Sequence, residues 1–228
     1  MGTSQNQHTD SVGARKESPP RLDRERILEI SREICDAEGL RALTLRRLGD
    51  ELDADATAMY RYFRNKGELI SALIDQIFFE VPEPNPDGSW RENLRALMYS
   101  WWQIYRRHEG LAQAMAGQAD DEPRLFHLTE WTVQELVRAG VPDDEIGVFH
   151  QSIYNHTVGH GLVAAFSPWL TSEELRNEQQ RIYASLNPAN FPSAALASKT
   201  IYPDLEKVFL FSTDLLLDAI ERRSDLVT

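Results

Sequence analysis

Between Leu22 and Phe78 the apolar residues fall into four short runs at helical spacing, joined by connections too brief for anything but a compact helical unit. Ile27, Ile30, Ile34 and Ala37 make one stripe, and Leu45, Leu48 and Leu52 a second. Ala56, Met59 and Phe63 make a third, followed by Leu69, Leu73, Ile77 and Phe78. Asp23, Thr44, Asp55 and Asn65 stand before the four runs, each with a side-chain oxygen that can accept from a first-turn N–H. Leu22 and Ile27 suit a hydrophobic staple across Asp23, and Gly39 is placed to end the first helix in a left-handed conformation. The turn Asp53-Ala54-Asp55 leaves two short helices about three residues apart, resting on a longer one, which is the helix-turn-helix arrangement. So small a unit buries little by itself and should lean on the fourth helix.

Beyond it, Val81 to Gly88 breaks helicity with three prolines, and Ser89 with Glu92 forms a capping box for the next helix. Helices are expected over roughly 90–108, 123–139, 143–166, 172–185 and 204–223, with a long loop over 186–203. No segment alternates with period two, so the fold is expected to be all-α. Its N-terminal helix-turn-helix three-helix domain joins, through the fourth helix, a larger helical domain for ligand binding and dimerisation. The expected division is a disordered arm over 1–20, the helix-turn-helix domain over 21–70 and the larger domain over 71–228. The arm is polar and closes on Pro19 and Pro20, though Arg15, Lys16 and Arg21 could touch phosphate.

The net charge of −12 is unevenly spread. Up to Lys66 twelve basic side chains balance twelve acidic ones, leaving twelve basic against twenty-four acidic beyond. A polyanionic partner must therefore meet the N-terminal part. The single cysteine, Cys35, excludes an intramolecular disulfide framework and reads as a buried thiol. No apolar run approaches the ~18 residues of a membrane span, and the first residues lack an apolar signal core. A cytoplasmic protein without membrane association is expected.

The segments Thr44-Leu45-Arg46-Arg47-Leu48-Gly49 and Met59-Tyr60-Arg61-Tyr62-Phe63-Arg64-Asn65-Lys66 resemble the DNA-binding domain of the TetR family of bacterial regulators. The resemblance covers about residues 22–75; the rest of the chain is similar only in helical layout. A third helix with Ala56, Met59 and Phe63 inward leaves Thr57, Ala58, Arg61 and Tyr62 outward. Phenolic hydroxyls can donate to phosphate oxygens, and small or polar side chains can approach base edges. The resemblance implies that Thr44, Tyr60, Tyr62 and Lys66 grip the DNA backbone and that Arg46, Thr57 and Ala58 read bases; Arg61, beside them, is read as phosphate-directed or solvated. Asp53 stands where the family usually has glycine, which the turn tolerates because Asp adopts a left-handed backbone more readily than most residues.

Such modules act as symmetric dimers on near-palindromic double-stranded operators with half-sites about one helical turn apart, ~34 Å, or a multiple of it. The helices around Tyr154–Phe166 and Phe209–Ile220 are apolar enough to pair across a two-fold axis, the first with Gly159, Gly161, Ala164 and Ala165 for close approach. The expected homodimer interface uses His156, His160, Val163, Phe209, Leu216 and Ile220. Trp101, Tyr105, Phe126, Trp131, Phe149 and Tyr154 are the candidate lining of a pocket for a small organic effector. Trp101 and Trp102 must face different ways, so at most one lines a cavity. His156 and His160 are spaced i, i+4 and could supply two metal ligands, but no third ligand accompanies them. No metal or other cofactor is expected, and the pair is read as interface or pocket hydrogen bonding, with a protonation that could tune the dimer near neutral pH. The whole reads as a ligand-responsive, sequence-specific DNA-binding regulator, a repressor released by its effector, and not an enzyme. Two alternatives stand beside it: a C-terminal domain that docks a protein, and a helical metalloprotein built on His156 and His160.

Overall fold

In the computed structural model of the chain, the described residues are 22–117, 123–167 and 172–225, and they form helices and connections with no strand among them. The expected N-terminal arm lies outside this range. Helix α1 spans Arg24–Glu38, α2 Leu45–Leu52, α3 Ala56–Met59 and α4 Lys66–Phe78. The four caps form as anticipated: Asp23, Thr44, Asp55 and Asn65 accept from the backbone N–H of Arg26, Arg47, Thr57 and Glu68. Gly39 ends α1 at φ 81° and ψ 164°, positive in φ but with an extended ψ in place of the expected left-handed one. Asp53 does take the left-handed conformation, at φ 48° and ψ 44°, and its N–H returns to the Gly49 carbonyl. Ile27, Ile34, Leu43, Leu48, Met59 and Phe63 are buried together with Leu69, Leu73 and Ile77 of α4, so the small domain completes its core on the fourth helix.

Helix α5 (Trp90–Arg107) begins at a capping box between Ser89 and Glu92. A 3-10 turn at Glu109–Leu111 and a short α6 (Ala112–Ala116) follow, neither of them anticipated. Helices α7 (Pro123–Arg138) and α8 (Ile146–Phe166) lie close to their expected positions. Helix α9 (Glu173–Ala184) does too, and α10 (Pro192–Ala197) interrupts what was read as a loop. The last helix is α11 (Leu205–Asp225). A one- to two-turn helix shows no periodicity that sequence can reveal, which explains both omissions.

Helix α5 divides the larger domain. Leu97, Trp101, Ile104 and Tyr105 enter the apolar cluster that runs on from the DNA-binding module, while Leu94, Met98 and Trp102 enter a second one with Leu136, Ile153, Phe209, Leu217 and Ile220. Trp101 and Trp102 therefore point apart, as adjacency on a helix requires. In the second cluster Phe209 stacks on Trp102 with centroids 4.6 Å apart and planes 6° from parallel.

Two sets of contacts tie the small domain to the large one. At the end of α1 the 3-10 turn comes so near that a Cβ on Gly110 would stand 2.0 Å from the Cys35 carbonyl oxygen. Leu40 donates its N–H to the Gly110 carbonyl, and the buried His108 ring sets Nδ1 2.9 and 3.0 Å from the two Asp36 carboxylate oxygens. At the end of α4, Arg124 of α7 donates from Nε to the Phe78 carbonyl and from Nη2 to the Val81 carbonyl. Its guanidinium lies 4.7 Å from the Phe79 ring centroid and 4.5 Å from that of Trp131. The carbonyl end of a helix carries partial negative charge, so a buried cation is well placed there. Cys35 is buried beside Asp36, and burial first, then that carboxylate, push its thiol up to about 11, an inert protonated group.

Candidate nucleic-acid interface and effector region

Helix α2, the left-handed turn and α3 present one exposed surface. Met59 and Phe63 are buried, fixing α3 against the core, while Thr57, Tyr60 and Arg61 are exposed. Helix α3 is shorter than expected and continues past Met59 as a turn, with Tyr60 and Arg61 donating N–H to the Thr57 and Ala58 carbonyls. Tyr60 is 57% exposed and is not a core aromatic. Ala58 is half-buried against the core, so its methyl group offers little beyond a small surface.

The polar residues of this surface differ in what they can still do. Arg47 is paired with Glu38 at 3.1 Å and Glu51 at 2.7 Å, and Arg64 with Glu68 at 3.1 Å. Arg46 and Arg61 are exposed and enter no ion pair among the described residues. Thr44 uses its oxygen to accept from Arg47 N–H at 3.1 Å, which leaves its hydroxyl proton to donate. Thr57 is engaged with Asp55 through its backbone N–H and its hydroxyl, and these bonds hold the Asp55 carboxyl below the usual carboxylate range. Tyr62 is half-buried and donates its hydroxyl proton to the Leu22 carbonyl at 2.6 Å, a brace across the domain. Lys66 donates to the Leu40 carbonyl at 3.2 Å and retains two further N–H donors.

The six aromatics expected to line one pocket are not brought together as a set. Trp101, Tyr105 and Tyr154 share the first cluster, with Trp101 edge-on to Tyr154 and to Phe78, both at 5.7 Å. Trp131 packs on the rim of that cluster and lines a groove of about 770 Å³ with Glu83, Pro84, Glu130 and Arg138. Phe149 belongs to the second cluster, and Phe126 is 56% exposed, so neither lines a common interior with the others.

The expected dimer residues also divide. Phe209 and Ile220 are fully buried inside the chain and build the protomer's own core, while Leu216 is partly buried against the same cluster. Gly161 likewise serves internal packing, since a Cβ there would lie 2.5 Å from Tyr105 Cγ, whereas one on Gly159 would meet nothing within 4 Å. His156 and His160 face α11, with Nε2 3.0 Å from Thr213 Oγ1 and 3.2 Å from Ser212 Oγ respectively. Burial first, then the neighbouring imidazole, hold His156 down at about 4, and burial holds His160 down too; both are neutral at pH 7, against the expectation of titration near neutrality. Among the described residues no group of three or more metal-ligating side chains occurs. Val163 remains exposed on α8 with Val148 and Phe166, as do Phe211 and Leu215 on α11. No described helix is long and apolar enough to cross a membrane.

Residues 27–73 match the family model for bacterial regulatory proteins of the tetR family, and residues 81–224 match that for the tetracyclin repressor-like C-terminal domain. The chain belongs to the TetR family. Among its relatives is the HTH-type transcriptional repressor DrrR1 of Streptomyces coeruleorubidus, 29% identical over 89% of this chain and 78% of that one. The class C tetracycline repressor protein of Escherichia coli is 27% identical over 76% of this chain and 80% of its own length. The fold is that of ActR from Streptomyces coelicolor, solved in complex with actinorhodin, with TM-score 0.77 and 24% identity over 90% of this chain and 99% of that one. TetR membership accounts for the helix-turn-helix and makes the chain a DNA-binding transcriptional regulator.

Proposed function

We propose that the protein is a repressor that binds a near-palindromic operator as a homodimer and is released by a small organic effector taken up in the larger domain. The observation that carries this is the pair of locks on the DNA-binding module, His108 with Asp36 of α1 and Arg124 with the carbonyls of Phe78, at the end of α4, and of Val81 just beyond it. A change in the larger domain must move α1 and α4 through them. DrrR1 is named a repressor, and ActR is seen with a bound small molecule, which supports a similar scheme here. Trp131, whose ring flanks Arg124, sits at the groove and gives an entering molecule direct purchase on the α4 lock. A coupling of about 1–3 kcal/mol would loosen operator binding roughly 5- to 150-fold.

On the DNA, Thr44, Tyr60 and Lys66 donate to phosphates, with Arg61 beside them, and Arg46 reads a base by its uncommitted guanidinium. Thr57 offers its methyl group and Ala58 a small surface to thymine methyls. Tyr62 acts indirectly, by bracing the helix on which Tyr60 stands. The second copy packs against the exposed apolar face of α8 and α11, with Val148, Val163 and Phe166 meeting Phe211 and Leu215. Selection of bound sequences from random DNA tests the reading. It should return a two-fold symmetric site whose affinity falls steeply with salt, and a non-palindromic consensus or salt-independent binding would refute it.

A further inference from the structure

We propose that His108 is a proton-operated strap between the two halves of the molecule. When its ring takes up a second proton, Nε2 draws in the Glu80 carboxylate, α1 and the end of α4 are tied through one imidazolium, and operator affinity rises. The inference rests on the repressor reading above and adds a control that acts on its α1 lock without any effector.

Helix α5 ends at His108, whose ring is buried between two carboxylates. Nδ1 is 2.9 and 3.0 Å from the Asp36 oxygens on α1, while Nε2 stands 3.7 Å from Glu80 Oε1, two residues beyond α4. The second distance is too long for a hydrogen bond, and Nε2 has no partner among the described residues. A buried polar atom left unpaired calls for an explanation.

The chemistry of a neutral imidazole supplies it. Asp36 can only accept, so it claims the N–H at Nδ1, and Nε2 is then a lone pair facing an anion. The two repel, and Glu80 stays back with Oε2 2.6 Å from Arg107 Nη1 and Oε1 3.8 Å from Arg32 Nη1. A proton on Nε2 reverses the sign. The ring then donates from both nitrogens, and a charge-assisted bond closes to about 2.8 Å, an inward move of about 1 Å by one carboxylate oxygen. Oε2 keeps Arg107 meanwhile, since only Oε1 has to move. Leu40 N–H, bonded to the Gly110 carbonyl beside the ring, carries the tightening to the end of α1.

The groups around the ring leave that role to histidine. Asp36 and Arg32 face it from α1, Glu80 from beyond α4, and Arg107 and Glu109 flank it in sequence. Cys35 of α1, which burial and then Asp36 push up to about 11, keeps its proton throughout. Helices α6 and α8 pack on the same turn, and neither Ala112–Ala116 nor the stretch 161–166 carries a titratable side chain. Among these side chains only an imidazole exchanges its charge near neutral pH.

The test follows binding of the full-length protein to the site selected from random DNA, by fluorescence anisotropy from pH 6 to pH 8 at constant ionic strength. One proton changes an affinity by at most about tenfold per pH unit, and the wild type should bind about 5- to 20-fold more tightly at pH 6 than at pH 8. His108→Gln keeps a donor for Asp36 but takes up no proton, and Glu80→Gln removes the charge that the proton answers; each should flatten the profile. Without DNA, the amide protection of Leu40, corrected for its intrinsic exchange rate, should be greater at pH 6 than at pH 8 in the wild type and equal in His108→Gln. A flat wild-type profile, an affinity that falls toward pH 6, a profile that persists in both variants, or Leu40 protection independent of His108 would each overturn the strap. If random DNA yields no selected site, the repressor reading fails, and Leu40 protection alone decides the strap.

Discussion

Phe209 separates two roles that sequence alone confuses, an apolar residue of the protomer core and one of a dimer face. It is fully buried within one chain, stacked on Trp102 at 4.6 Å and close to His156 and His160 at 5.3 and 5.5 Å. Phe209→Ala removes that whole ring from a packed site, which costs about 3–5 kcal/mol. With a urea dependence of about 2–3 kcal/mol per molar, the unfolding midpoint should fall by roughly 1.5 M. The exposed Phe211 and Leu215 make the contrast. Phe211→Ser with Leu215→Ser should raise the dimer dissociation constant at least tenfold by analytical ultracentrifugation, and leave near-ultraviolet circular dichroism of the protomer intact. The core variant should lose that signal at lower urea at every protein concentration. If Phe209→Ala kept the wild-type midpoint and instead sedimented as a folded monomer, the assignment of Phe209 to the core would be wrong.

Tyr60→Phe and Tyr62→Phe should separate in the same spirit. The first should weaken operator binding about 5-fold with no change in melting, while the second, losing the bond to Leu22, should cost about 1 kcal/mol of stability by thermal denaturation. Gly110→Ala forces a methyl group onto the Cys35 carbonyl and should destabilise by more than about 2 kcal/mol, seen as faster amide exchange at the end of α1 and in the 108–112 turn. Acid should also weaken the fold through His156. Its folded value of about 4 lies below the ordinary 6.5, so the unfolded chain takes up a proton that the folded one refuses. Stability is therefore full above pH ~6.5 and falls as pH drops toward about 4. The urea midpoint measured from pH 7.5 to 5 should decline, and less steeply in His156→Gln; an unchanged slope would remove His156 from this account.

The DNA-binding module was legible because its signals are local. Caps, the left-handed turn and the apolar stripes lie within a few residues of one another, and each is fixed by the backbone chemistry of one helix end. The role of Tyr62 was not legible, because its partner Leu22 is forty residues away and nothing in the spacing announces a hydroxyl spent internally. The larger domain failed sequence reading for a related reason. Helix α8 is apolar on most of its circumference, and in α11 apolar residues stand consecutively at 209–211 and 215–217, so periodicity cannot say which stripe faces inward. Phe209 and Phe211 look alike in sequence and differ entirely in burial. Among the aromatics, the i, i+4 spacing of Trp101 and Tyr105 does place both on one α5 face, and both enter the first cluster.

Electrostatics sharpens how such a module can recognise DNA. Its basic and acidic residues balance, and the structure consumes several of the basic ones: Arg47 with Glu38 and Glu51, Arg64 with Glu68, Arg26 with Glu29. What remains uncommitted on the exposed surface is small in number and fixed in place, chiefly Arg46, Arg61 and the hydroxyls of Thr44 and Tyr60. A broad positive field would hold DNA even with the two recognition elements misplaced, because charge attraction is insensitive to ångström shifts. A few positioned donors on a neutral surface lose their partners when the spacing between two copies changes. The neutrality of the module thus makes operator affinity depend on the geometry that the Asp36 and Arg124 locks impose. In the proposed scheme, a modest displacement of α1 or α4 is then enough to release DNA.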